Sequence, residues 1–305
     1  MYRKILVGYD GRDAGRDALA LAASLRAPDG VVIAACVYPG FGQAGSDRAE
    51  TMLADAAYQT VAEAQAQADG GDWLELRAAP GHSPAHGLHV FSEEVEPDLV
   101  VVGSSNRGEP GRVHAGTTGE RLLNGSACPV AIAPAGFAGQ AGIPRVVGVA
   151  YDGSESSEAA LLEGIALAAE FEASLKLITV VPPLKLYWSG EAFAGGIASG
   201  ETIREQRHNG FRQMLEDAAV RAPAEARTAT VLRDGRPADV IADEAEKGIH
   251  LLVMGSRNYG PIRRVMAGST AIELMRLSPC PVVVLPRGAS APSAEAAKVG
   301  ATTAT

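Results

Sequence analysis

Two stretches of this chain have the residue types and spacing to hold an anion. One runs Gly103-Ser-Ser-Asn106, then nine residues, then Gly116-Thr117-Thr118; the other runs Gly255-Ser-Arg-Asn258, then nine residues, then Gly268-Ser269-Thr270. Glycine lets the main chain approach a ligand closely and adopt positive φ. The hydroxyls of Thr117, Thr118, Ser269 and Thr270 are donors that can reach phosphate oxygens. A helix is expected to begin at Thr117 and again at Ser269, aiming unpaired N–H groups and the positive end of a helix dipole at the same spot. The chemistry is phosphate binding. Charge-assisted hydrogen bonds contribute roughly 1.5–3 kcal/mol each, and several together, less the association entropy, fit an affinity on the order of micromolar. The plain alternative is a structural turn that packs a helix on a sheet. The second loop also carries Arg257, Arg263 and Arg264, whereas the first has Arg107 and Arg112 beside Glu109, so the second site is expected to be the tighter.

The elements that position these loops occur twice. VGYDGRDAGRDAL around Asp10 recurs as VAYDGSESSEAAL around Asp152, the two glycine loops match, and ACPVAIAP recurs as PCPVVVLP. The offset between copies grows along the chain, which places extra residues in the second copy between Pro182 and Gly200, around Tyr187 and Trp188. In the first copy the apolar runs KILVGY, VVIAACV, WLELRA, DLVVVG and PVAIAP do not alternate, as expected of strands covered on both faces. Helical patterns lie between them, and Ser83-Pro84 reads as an N-cap followed by proline at the first helical position. The fold class is α/β: two repeated domains, each an open five-stranded parallel sheet with helices on both faces. The domains are expected at residues 1–135 and 145–287, with a Gly-, Ala- and Pro-rich linker at 136–144 and a disordered tail at 288–305. In such sheets ligands bind beyond the carboxyl ends of the strands. Asp10 and Asp152 stand there, after the first strand of each copy, and so do both loops. For each aspartate the bland role is a helix cap in a strand-to-helix turn.

The glycine loop, the V-x-Y-D after the first strand and the C-P-V of the last strand together resemble the ATP-binding branch of the universal stress proteins, over nearly the whole chain and twice. One departure is shared by both copies: Asn106 and Asn258 occupy the position of the family's second glycine, where asparagine tolerates a left-handed backbone better than other non-glycine residues. The resemblance implies a Rossmann-like domain of the adenine nucleotide alpha hydrolase type. It implies ATP with Mg2+ as the ligand, Asp10 and Asp152 on ribose or adenine, and Val37 and Val180 lining the adenine pocket. The phosphates would then lie on Gly103, Asn106, Gly116, Thr117 and Thr118, and on Gly255, Asn258, Gly268, Ser269 and Thr270. The implied role is a nucleotide-dependent stress or regulatory protein without dedicated catalysis and without catalytic residues. Its alternatives are a scaffold that binds no nucleotide and a slow ATP hydrolase. Similar proteins associate through the last strand, so CPVAIAP and CPVVVLP are expected to pair the two copies as a pseudo-twofold dimer within the chain, with a homodimer of chains left open.

Composition narrows the partners. A net charge of −9 over 305 residues argues against nucleic acid and anionic membranes, and no apolar run approaches the ~18 residues of a membrane span, so a cytoplasmic protein is expected. Cys36, Cys128 and Cys280 lack metal or disulfide spacing and read as small core residues. Gly40-Phe-Gly42-Gln-Ala-Gly45 matches a dinucleotide fingerprint but follows the second strand and not the first. His82, His86 and His89 could share a helical face, yet the second copy has Gly235, Asp239 and Ala242 there, so no metal site is expected. His114 lies inside the first loop, where a solvated side chain is the default and a phosphate contact the alternative.

Overall fold

The computed structural model describes residues 1–40, 47–68, 71–105, 111–183, 200–223, 226–256 and 268–286. The first repeat contributes β1 (Tyr2–Gly8), α1 (Asp13–Leu25), β2 (Arg26–Pro39), α2 (Asp47–Gln67), β3 (Leu74–Gly81), α3 (Pro84–Val95), β4 (Leu99–Gly103), α4 (Gly116–Leu122) and β5 (Val130–Ala133). The second contributes β6 (Val146–Ala150), α5 (Glu155–Glu170), β7 (Ser174–Val181), α6 (Gly200–Ala219), β8 (Thr228–Asp234), α7 (Pro237–Glu246), β9 (Leu251–Gly255), α8 (Ser269–Leu274) and β10 (Val282–Leu285). Asn106, Asn258, the arginines at 107, 257, 263 and 264, Glu109, the Tyr187–Trp188 insertion, the glycines at 42 and 45 and the 288–305 tail lie outside the described residues.

The strands form one sheet in the order β3-β2-β1-β4-β5-β10-β9-β6-β7-β8. Within each half all pairings are parallel, and the halves meet where β5 and β10 run antiparallel, with Val283 opposite Ala131. This is the expected pairing of the two C-P-V strands. It consumes both of those edges, so the edges of the sheet are β3 and β8.

Side chains alternate between two apolar layers even though the strand sequences do not. Ile5 and Val7 face the layer under α1, α2, α5 and α6, which includes Leu19, Val61, Leu161 and Leu215. Leu6 faces the layer under α3, α4, α7 and α8, which includes Leu88, Leu122, Ile241 and Leu274. Both layers run through the two halves, and burial on both sides is what makes the central strands β4, β5, β9 and β10 apolar throughout, whereas the edge strands β3 and β8 carry charged residues and are partly exposed.

The linker does more than span. A 3-10 turn at Phe137–Gly139 packs Phe137 against the first layer. The buried carboxylate of Asp17 on α1 accepts the Gly136 and Ala138 amides at 2.8 and 2.7 Å. A buried carboxylate needs such donors, and the flexible composition of the segment concealed that it supplies them.

Candidate functional site

In each half the strand order reverses between the first and fourth strands of the repeat, β1 and β4 or β6 and β9, which opens a crevice at their carboxyl ends. The first crevice is a cavity of about 590 Å³ and the second one of about 330 Å³, both within the ~300–1,000 Å³ usual for small-molecule sites.

The cavities gather the residues singled out from sequence. Asp10, Val37, Gly103, Gly116, Thr117 and Thr118 line the first. Asp152, Val180, Gly255, Gly268, Ser269 and Thr270 line the second. Five chain segments converge in each: the turn after the first strand, the end of the second strand, the helix after the third strand, the end of the fourth strand, and the start of the short helix that follows.

Neither aspartate is the N-cap of the following helix. Asp10 Oδ1 accepts from the Arg12 amide at 3.1 Å, and Asp152 Oδ1 accepts from the Ser154 amide at 3.0 Å. Both are turns closed two residues on. The N-cap positions fall to Arg12 and to Ser154, and only Ser154 caps with its side chain, through the Ser157 amide at 3.3 Å. Each aspartate stays exposed at the cavity rim. Beside Asp152, the Tyr151 hydroxyl donates to Glu158, which also pairs with Arg221. Burial first, and Glu158 next, push Tyr151 up to about 12.

The loop glycines divide by physical role. A Cβ on Gly103 would overlap the Ala14 carbonyl of α1, and one on Gly255 would overlap the Ser156 backbone of α5. These two let a helix close on the sheet, as well as lining the cavity. Gly116 has φ +58, and a Cβ there would stand 2.8 Å from the Ser105 Cβ, so glycine is required by conformation and by space. Gly268 is extended, with φ −74 and ψ 169, which any residue adopts. The amides opening α4 and α8 have no acceptor within their helices. The first loop is braced from within: Ser104, buried, donates to the Ala133 carbonyl at 2.7 Å and accepts the His114 amide at 2.9 Å, and the Ser105 amide donates to the His114 carbonyl at 2.7 Å.

Sequence reasoning missed several lining residues. Tyr9, Cys36, Leu88, Ser104 and Ser105 wall the first cavity, and Tyr151, Pro237, Ile241, Met254 and Ser256 the second. A paired comparison of the copies would have flagged Tyr9 with Tyr151 and Ser104 with Ser256, which match at aligned positions. Cys36, read as a core residue, is half-buried at the wall, with its thiol pushed up by burial and by Asp10. Cys128 and Cys280 sit in equivalent turns, where Ser126 and Ser278 donate to their carbonyls at 2.9 and 2.8 Å, and burial pushes both thiols up to about 11. His82 and His86 place their rings 5.1 Å apart at a tilt of 49°, and among the described residues no cluster of His, Cys, Asp and Glu could hold a metal. No helix there is long and apolar enough to cross a membrane.

The family model described as "Universal stress protein family" matches residues 1–134 and again 144–286. The chain belongs to the universal stress protein family. A universal stress protein of Mycobacterium tuberculosis is 26% identical over 211 residues, covering 67% of this chain and 71% of that protein. The universal stress protein YxiE of Bacillus subtilis is 32% identical over 142 residues, 95% of its own length but 45% of this chain, as a one-domain relative of a two-domain chain would be. Among solved structures, a universal stress protein from Archaeoglobus fulgidus superposes with a TM-score of 0.66 at 19% identity, covering 94% of this chain and 99% of that one. That likeness is one of fold.

Proposed function

We propose that this universal stress protein binds an adenine nucleotide, ATP with Mg2+, in each domain, and that occupancy biases its conformation or partner binding without dedicated catalysis. The observation that carries the reading is the duplication. Two separate cavities each bring together an aspartate, a valine, a close-packed glycine and the hydroxyl-bearing start of a short helix.

The residues fit the ligand. Val37 and Val180 offer apolar wall for a base, next to Leu88 in one cavity and Ile241 in the other. The exposed carboxylates of Asp10 and Asp152 suit ribose hydroxyls, which are donors. Opposite them, the amides and hydroxyls at Gly116–Thr118 and Gly268–Thr270 suit phosphates. When bound with the nucleotide, Mg2+ would neutralise phosphate charge, taking its oxygens from phosphate and water more than from the protein. Similar nucleotide content is expected whether or not a homodimer forms, since each cavity is lined by one domain of one chain.

The test is the nucleotide content of gently purified protein, denatured and resolved by anion-exchange chromatography. Adenine nucleotide approaching two per chain supports the reading; none, together with no binding of added Mg-ATP, overturns it.

A further inference from the structure

His114 is a residue of the first cavity that the nucleotide reading leaves unused. It lines that cavity, and its main chain is fixed on both sides by Ser104 and Ser105. Its Nδ1 is buried with no hydrogen-bond partner among the described residues, so the half-buried ring sits in the wall with that nitrogen unsatisfied by any of them. A buried ring nitrogen lacking a partner is costly unless a ligand or water completes it. The matching position of the second repeat is Met266, which carries no charge and no donor.

We propose that His114 is a proton-linked phosphate ligand that makes the first site, and not the second, bind nucleoside polyphosphates more tightly as pH falls. This rests on the nucleotide reading of the cavities. Imidazole changes charge between about pH 5 and 8, and an anionic phosphate beside it favours the imidazolium, so binding takes up a proton. The affinity gained is present at low pH and is lost as pH rises through the value of the complex. The charged groups lining the same cavity are Asp10 and Arg12 from the turn after β1 and Glu120 from α4. Glu120 pairs with Arg276 at 3.5 Å, and Arg112, two residues before His114, is committed to Glu246 at 2.6 Å. Arg12 and His114 are therefore the cationic or protonatable donors that the described first cavity offers a phosphate.

The experiment is calorimetry of the full chain carrying Gly268→Val, which blocks the second cavity, titrated with Mg-ATP at pH 6.5 in three buffers of different ionisation enthalpy. The dependence of heat on buffer gives the protons taken up. The expected result is net uptake that is smaller in His114→Met and His114→Gln than in the parent, with affinity about tenfold weaker in both at pH 6.5 and nearly equal to the parent at pH 8.5. Proton uptake by the terminal phosphate of ATP is common to all three proteins and cancels in the comparison. Unchanged uptake and affinity in the variants overturn the inference while leaving the nucleotide reading intact. Absence of ATP binding in the unmodified chain overturns both. Should the variants fail to fold, the pH profile of the first-site Kd in the Gly268→Val parent decides: tightening towards pH 6 supports the inference, and a flat or inverted profile contradicts it.

Discussion

The main-chain N–H of Val113, on the loop of the first cavity, donates to the carbonyl of Ser278 in the second domain at 2.8 Å. Beside it Arg112 donates to the Leu277 carbonyl at 2.5 Å and to Glu246 at 2.6 Å. The wall of one site is thus held by the other domain, next to the turn that ends α8, whose first residues line the second site.

Arg112→Ala removes two of these three links. The arginine is partly exposed and its pair with Glu246 is half in solvent, so the ion pair itself is worth little. The bond to a main-chain carbonyl contributes more, and the total cost is expected at about 1 kcal/mol. Urea unfolding should show this loss, and calorimetry should show weaker ATP binding at the first site. Full stability with unchanged binding would separate the loop from the domain contact.

Gly103→Ala and Gly255→Ala push a methyl group into the backbone of α1 and of α5 respectively. Each is expected to cost about 1–3 kcal/mol through overpacking, visible as a lower urea midpoint with or without ligand. A change confined to nucleotide affinity would show that these glycines serve the ligand alone.

Much of this was legible from the chain itself. Non-alternating apolar runs announced strands buried on both faces, except that WLELRA forms the partly exposed edge strand β3, and Ser83 caps α3 through the His86 amide at 3.3 Å with Pro84 at the first helical position, as its sequence implied. Paired C-P-V strands gave the domain contact. The short helices were harder: the sequence marked a start near Thr117 but no end, and α4 stops at Leu122, just before Asn124 turns back to bond the Glu120 carbonyl at 2.7 Å. What stayed hidden depends on contacts distant in sequence. Nothing in the sequence singles out Asp17, whose partners are the amides of Gly136 and Ala138, more than a hundred residues on. The glycine loops were read as phosphate cradles with helix packing as the plain alternative, and the approach of Ala14 and Ser156 shows which glycines serve that packing, Gly103 and Gly255.

Acid sensitivity should centre on Glu244. Burial alone would raise its pKa, but Lys176 at 2.7 Å and Lys247 at 2.7 Å outweigh that and hold the carboxyl below its ordinary value. A depressed folded pKa adds stability that is present above the unfolded carboxylate value and is lost as pH falls through the folded one. Glu244→Gln should therefore destabilise by about 2 kcal/mol at pH 7, and the gap between the two proteins should close as pH drops below about 4. A gap that stays constant over pH 3–7 in urea titrations would remove the ionic basis.

The central claim is one nucleotide site per domain, and its most direct measurement is the stoichiometry of Mg-ATP binding by calorimetry, in the unmodified chain and in Gly268→Val. Gly268 adopts a backbone conformation open to any residue, so valine there should fill the second cavity without backbone strain. Two ATP per unmodified chain and one per variant is the predicted result; no binding by the unmodified chain, or the same stoichiometry in both, would contradict it.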